Sequence, residues 1–277
     1  MQVKFVDVAG TYSRCLFAGE SNPDPLLLIH GHDLMADIWV PNIDVLGERF
    51  HVVAPDSLGS GFTGPIDFGD RSVIGARVDH LIGLIDALGF DRVALCGSSY
   101  GALLASLIYL RNPARINKLI LNGSASAFST EEQLVAGMTK AYDTARDSIA
   151  TRTLDDWQQR LVSSVYDPAP IPPGLAQIIL TAYAQPWLFP AWDQSMRSFI
   201  QDATNPDYRV LHRLDAFDVE TLVVWGRDDP GAPLANAEIG VKQMPRARLE
   251  VLDNCGHMVM FEHPARYNEI VLDFLSR

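Results

Sequence analysis

The sequence predicts an α/β protein: a mainly parallel sheet with helices on both faces and a helical segment inserted late in the chain. Three observations carry that expectation. Short apolar runs alternate with helix-length amphipathic patterns through most of the chain, as in connected strand–helix units. The alternation stops between residues 124 and 208, where no strand pattern stands out. Between the two patterns, Gly97-Ser98-Ser99-Tyr100-Gly101 joins an apolar strand to an apolar helix by a sharp turn flanked by glycines.

Taken in order, β-like runs open the chain at about Val3 to Val8 and Tyr12 to Ala18, with Gly10 as the turn between them. Leu26 to Ile29 and His51 to Ala54 are continuous apolar runs, the pattern of strands buried on both faces. Within Asp70 to Gly89, Val78, Leu81, Ile82, Ile85 and Leu88 recur at helical spacing, and Gly89 supplies the C-terminal cap. A strand over Arg92 to Cys96, a helix over Ala102 to Leu110 and a strand over Ile116 to Leu121 follow. Residues 124–208 carry long helical patterns, a proline cluster and the aromatics Trp157, Tyr183, Trp187, Phe189 and Trp192. Alternation resumes with a strand at Leu222 to Trp225, a helix around Leu234 to Gln243, a strand at Arg248 to Leu252 and a last helix from Pro264. The expected division is a core of residues 1–123 and 209–277 and a helical cap of residues 124–208. Ligands bind beyond the carboxyl ends of strands in such sheets, which is where an insertion after the Ile116 strand lies.

Composition narrows the function. The chain is 48% hydrophobic over 277 residues, enough for a large core. A net charge of −12 without a basic stripe argues against a nucleic-acid footprint. No apolar run approaches a membrane span, and the first residues lack the basic and apolar regions of a signal peptide. Three widely spaced cysteines, Cys15, Cys96 and Cys255, suit reduced thiols better than a disulfide framework or a zinc site. The expectation is a cytoplasmic protein acting on a small-molecule substrate, with no nucleic acid and no membrane as partner; the sequence leaves a homo-oligomer open. Neither a metal nor an organic cofactor is expected, since no H-E-x-x-H, clustered Cys/His spacing or supported G-x-G-x-x-G occurs.

Ser99 is the candidate nucleophile. On a strand–turn–helix elbow its Oγ stands clear of the backbone, and the N–H of Tyr100 opens a helix where it can face a developing oxyanion. A serine needs a base and an acid to orient that base. Of seven histidines, His257 lies in a loop between a strand and the last helix, whereas His263 reads as a helix-entry residue. The loop after Trp225 supplies Asp228 and Asp229; either can serve, and Asp229 is the assignment. Leu121-Asn122-Gly123-Ser124-Ala125, after the strand that precedes the insertion, has no carboxylate.

With these residues in place the chain resembles the α/β-hydrolase superfamily. The likeness lies in His30-Gly31-His32-Asp33 as an oxyanion loop, Ala54-Pro55-Asp56-Ser57-Leu58-Gly59-Ser60-Gly61, the G-x-S-x-G elbow, the G-x-x-D loop ending at Asp229 and the Gly256-His257 pair. It implies an eight-stranded, mostly parallel sheet with an inserted cap, and an oxyanion hole from the backbone N–H groups of His32 and Tyr100. Haloalkane dehalogenase and epoxide hydrolase chemistry are disfavoured by the same likeness, since those branches use aspartate where Ser99 stands.

The leading expectation is a serine hydrolase that cleaves a small, moderately apolar carboxylic ester or lactone through an acyl-enzyme. Trp187, Phe189 and Trp192 of the cap, with Met258, are the candidate substrate wall. The alternative is a C–C bond hydrolase of the meta-cleavage type acting on a vinylogous diketone. The chain resembles that subfamily around Ala54 to Thr63 and Trp225 to Asp229. It departs in having Ser98 where asparagine is usual, Met258 where an aromatic is common, and no cap arginine near Thr181 to Tyr183, for which Arg197 or Arg209 are the substitutes. A slow-turnover ligand sensor on the same scaffold is the third reading.

Overall fold

A computed structural model describes residues 1–277, the side chain of Pro173 excepted. Eight strands form one sheet: β1 (Gln2–Val8), β2 (Thr11–Ala18), β3 (Pro25–Ile29), β4 (His51–Pro55), β5 (Val93–Ser98), β6 (Ile116–Asn122), β7 (Thr221–Gly226) and β8 (Ala247–Leu252). Their order is β1-β2-β4-β3-β5-β6-β7-β8. The hairpin β1–β2 and the pair β2–β4 are antiparallel and every other pairing is parallel. The helices are α1 (Val40–Gly47), α2 (Val73–Ala87), α3 (Tyr100–Arg111), α4 (Ala125–Phe128), α5 (Glu131–Thr151), α6 (Leu154–Val162), α7 (Pro173–Tyr183), α8 (Leu188–Asp202), α9 (Leu234–Val241), α10 (Val259–Glu262) and α11 (Pro264–Leu275).

Alternation along each strand divides the core in two. Leu26, Leu28, Val52, Ala54, Cys96, Ile120, Leu222 and Val224 point to one face, where they meet Trp39, Ile43, Tyr267 and Val271. Leu27, Ile29, Val53, Leu95, Leu119, Leu121, Val223 and Trp225 point to the other, against residues of α2, α3 and α9. Both faces are covered, which is why these strands read as unbroken apolar runs. Each fully buried aliphatic side chain contributes about 1.5–3 kcal/mol.

Between β6 and β7 the described residues form no strand, as the sequence pattern predicts: α4 to α8 are joined by loops and followed by short 3₁₀ turns. The start of α5 is set by a capping box in which Thr130 and Gln133 each bond the other's backbone N–H. The C-terminal part of α8 does not stand apart from the sheet. Its Phe199 and Ala203 are buried in the same cluster as Leu103, Tyr100 and Val210.

Candidate active site

The elbow is built by close approach. A Cβ at position 97 would lie 2.3 Å from the Gly101 carbonyl oxygen, and one at position 101 would lie 2.3 Å from that of Ile29. Glycine at both ends therefore lets α3 start directly against β5 and β3. Ser99 between them is held at φ +53°, a conformation disfavoured for a residue with a Cβ. Its N–H donates to the Asn122 carbonyl at 2.8 Å and its carbonyl accepts from the Ser124 hydroxyl at 2.9 Å, so β6 holds the turn in place.

His257 and Asp229 arrive from the ends of β8 and β7. His257 Nδ1 stands 2.6 Å from Asp229 Oδ2, and the carboxylate is closed to solvent. The other oxygen, Oδ1, accepts from the backbone N–H groups of Gly231 at 2.8 Å and Ala232 at 2.9 Å, which fixes the carboxylate's rotation. Burial by itself would lower the pKa of His257; the Asp229 carboxylate, aided by Glu262, outweighs it and leaves the imidazole above the ordinary value. Asp228 is exposed.

Ser99 and His257 line two cavities at once. The first, of about 230 Å³, is walled by His32, Leu34, Trp157, Arg160, Met196 and Met258 among others. The second, of about 400 Å³, runs between Gln133 and Leu134 of α5 and Pro233 and Asn236 at the start of α9. Its polar groups are tied together, Asn236 Nδ2 donating to Ser129 Oγ at 3.2 Å and to Gln133 Oε1 at 3.4 Å.

The loop after β3 carries a charge cluster facing the first cavity. Asp33, at φ +66°, accepts from His32 Nδ1 at 2.7 Å, from the Trp192 indole N–H and from the Arg160 guanidinium. Burial opposes ionisation of Asp33, but Arg160 and His32 together with the indole N–H prevail and hold it well below the usual carboxylate range. The second nitrogen of His32 lies 2.9 Å from the Ser195 hydroxyl, which also accepts from Arg77. Burial drives the pKa of His32 down despite Asp33. The Tyr100 ring is buried against Phe199, 4.9 Å between centroids. The side chains of His32 and Tyr100 are thus engaged elsewhere. Tyr100 follows Ser99 and opens α3, and a Cβ at position 31 would lie 3.3 Å from the Ser99 Cβ.

Residues 26–270 match the model of the alpha/beta hydrolase family. The chain belongs to that family. A 2-hydroxy-6-oxononadienedioate/2-hydroxy-6-oxononatrienedioate hydrolase of Paraburkholderia phymatum is 31% identical to it, over 92% of this chain and 88% of the relative. A 2-hydroxymuconate semialdehyde hydrolase of a Pseudomonas species is 31% identical over 91% of this chain and 87% of its own. Among solved structures, a meta-cleavage product hydrolase of Pseudomonas fluorescens superposes with a TM-score of 0.81 at 27% identity, covering 99% of this chain and 97% of that one.

The hydrolase departs from its sequence reading in the pocket wall. Met258 lines the first cavity, but Trp187, Phe189 and Trp192 line neither. Trp187 packs over Gly64 and beside Leu58 and Ala191. Trp192 is buried because its indole N–H reaches Asp33, and Phe189 stacks on it at 5.9 Å. The same helix instead offers Met196, one turn further on. Nor do Arg197 and Arg209 reach the site: Arg197 pairs with Asp193 on the surface and Arg209 with Glu131. The cation in the chamber is Arg160. Counted from Trp157, Arg160, Leu161 and Ser164 follow at three, four and seven residues, the last of them just beyond α6, and all four line the chamber. A lone arginine on an otherwise apolar stripe was the signal available in the sequence. Cys255, beside the triad candidates, is fully buried, and that burial pushes its thiol pKa upward, which disfavours the thiolate.

Proposed function

We propose that this hydrolase cleaves a carbon–carbon bond in a vinylogous diketone that carries a carboxylate. The observation behind the reading is Arg160, a guanidinium set in an otherwise mainly apolar chamber that Ser99 and His257 share. A small neutral ester has no use for that charge. Asp33 engages Arg160 through Nη2, and a guanidinium has five N–H donors, so the pair can still accept a second anion. The relatives named 2-hydroxy-6-oxononadienedioate/2-hydroxy-6-oxononatrienedioate hydrolase and 2-hydroxymuconate semialdehyde hydrolase support the same substrate class. The ester-or-lactone expectation thereby takes second place.

In this reading residues 124–208 act as a cap, and Ser99 Oγ attacks the substrate's ketone carbon while His257 takes the hydroxyl proton. The N–H groups of His32 and Tyr100 face the oxyanion that forms. The 2-hydroxy-2,4-dienoate first shifts its enol proton to C5, giving the 2-oxo-3-enoate; when the tetrahedral adduct then collapses, the C5–C6 bond breaks and its electron pair passes into the conjugated 2-oxo acid, which leaves as a dienolate and gains a proton. Breaking a C–C bond needs such an electron sink. Arg160 holds the sink's carboxylate at a fixed place. Water activated by His257 then releases the acyl group from Ser99, and Asp229 holds the imidazole in the tautomer both steps need. The second chamber, with its amide-lined wall, receives the fragment on the other side of the reacting carbon.

The test compares 2-hydroxy-6-oxohepta-2,4-dienoate, followed by loss of its visible absorbance, with p-nitrophenyl butyrate. Expected are multiple turnovers of the dienoate, none in Ser99→Ala, and a kcat/KM about 10- to 100-fold lower in Arg160→Met, mostly through KM. Turnover of the butyrate with an inert dienoate would return the ester reading to first place. A single turnover followed by tight product retention would mark a sensor.

A further inference from the structure

His257 sits in a stretch of backbone whose amides are all taken up, and the acceptors have no part in the chemistry described above. Glu262, five residues on and buried at 6% exposure, receives Gly256 N–H at 2.9 Å and Met258 N–H at 3.3 Å on Oε1. Its Oε2 receives Tyr166 N–H at 2.7 Å. The N–H of His257 itself donates to the Ser164 carbonyl at 2.8 Å. Three consecutive amides, of residues 256, 257 and 258, are therefore anchored, two to one carboxylate and one to the turn that follows α6. That turn presses on the loop: a Cβ at position 256 would lie 2.8 Å from both the Tyr166 nitrogen and the Val165 Cα. Among the described residues no lysine, arginine or histidine pairs with Glu262; it faces backbone N–H groups and the Cys255 thiol.

We infer that Glu262 is a positioning residue for His257, and that through Tyr166 it makes the placement of the base depend on the turn after α6, the helix that carries Arg160. A carboxylate with three amide partners and no counter-cation is not a surface ion pair that happened to be buried. The burial of an acidic group is costly, and here it is offset by hydrogen bonds that all converge on the loop holding one side chain. The ring's other neighbours are consistent with a role in both geometry and charge. Asp229 bonds Nδ1, Glu262 approaches from α10, Asp228 donates its backbone N–H to the Cys255 carbonyl at 2.9 Å, and Arg160 and Asp33 line the same chamber as a pair. A shift of α6 when substrate engages Arg160 passes directly to the amide of His257 through Ser164 and Tyr166. This inference rests on the reading of His257 as the base.

Two variants separate the charge from the tether. Glu262→Gln keeps the shape but sets an NH2 group against amide donors. Its kcat should fall about 10- to 100-fold, as expected when a base is misplaced by a fraction of an ångström to an ångström, with KM little changed. The acid limb of its pH profile should move to lower pH, because a negative charge near the imidazole is gone. Tyr166→Pro removes the tethering N–H and leaves the carboxylate. It should lower kcat without moving the His257 titration. That titration is read by NMR in a Ser99→Ala background, independently of turnover. A folded Glu262→Gln with unchanged kcat and unchanged His257 titration overturns the inference. If that variant does not fold, a Tyr166→Pro enzyme with unaltered kcat overturns it alone. Loss of the base reading looks different: His257→Ala would continue to turn over.

Discussion

Replacing Asp229 by asparagine should cost far more than the loss of one hydrogen bond, and the structure says why. Oδ1 of Asp229 lies between two backbone donors, the N–H groups of Gly231 and Ala232 at 2.8 and 2.9 Å. An asparagine here must keep its carbonyl oxygen in that position, since an NH2 group would face both donors. Its NH2 group then occupies the place of Oδ2, 2.6 Å from His257 Nδ1. A donor at that place obliges Nδ1 to accept. Neutral His257 must therefore carry its proton on Nε2, the nitrogen left to take a proton from Ser99. The base is present but in the wrong tautomer. That arrangement lowers kcat by about 10⁴-fold, or about 5.5 kcal/mol of transition-state stabilisation. The assay is steady-state kcat on the dienoate, paired with ¹⁵N NMR of the imidazole to read which nitrogen is protonated. Asp228→Asn, at an exposed side chain, is the control and should stay within about twofold. An Asp229→Asn enzyme that keeps more than about a tenth of wild-type kcat would refute the tautomer argument. A large loss in Asp228→Asn would move the acid to its neighbour.

The pH profile carries its own sign. Only neutral His257 can accept the serine proton, and its pKa is raised by Asp229 and Glu262 against the effect of burial, so kcat/KM should rise through an apparent pKa above the ordinary 6.5; a limb at or below 6.5 contradicts that balance. Stability runs the other way: the contribution of the paired imidazolium is present below the unfolded-state pKa and is lost as pH climbs through the raised one. Gly101→Ala sets a methyl 2.3 Å from the Ile29 oxygen and 2.6 Å from that of His30, both backbone atoms. It should destabilise the protein by about 3 kcal/mol, a fall in Tm of roughly 6–12 °C by calorimetry. A Tm within about 2 °C of wild type would mean that β3 and α3 can part without cost.

What the sequence disclosed depended on the range over which its signals act. The central strands were legible because burial on both faces leaves a continuous apolar run that nothing but a central strand or a buried helix produces, whereas the edge strands β1 and β8 carry charged residues and are only partly buried. The elbow was legible because its glycines sit within five residues and answer a local steric demand. His257 and Asp229 were legible as loop residues at strand ends, although only the geometry separates Asp229 from Asp228. The wall supplied by α8 was not. Which face of α8 meets a cavity and which meets the protein is decided by partners distant in the chain, and Trp192 turns away because Asp33, 159 residues earlier, takes its N–H. The second chamber is of the same kind. Gln133 and Asn236 meet across 103 residues, and neither stands out in its own helix. Arg160 is the exception, a charge in an apolar stripe that could have been picked out before any coordinates.

Gly123 has one more implication. A Cβ at this position, at the end of β6, would stand 3.4 Å from both Asp229 Oδ2 and His257 Nδ1, where β6 and β7 run side by side. The imidazole nitrogen that binds the acid can thus be reached from either of two adjacent strands. This chain puts its carboxylate after β7 and leaves the neighbouring position bare, which keeps a second negative charge off an imidazole whose pKa is already raised. Where the acid sits is therefore an option the sheet leaves open, and an enzyme could move it one strand over while its nucleophile and base keep their coordinates.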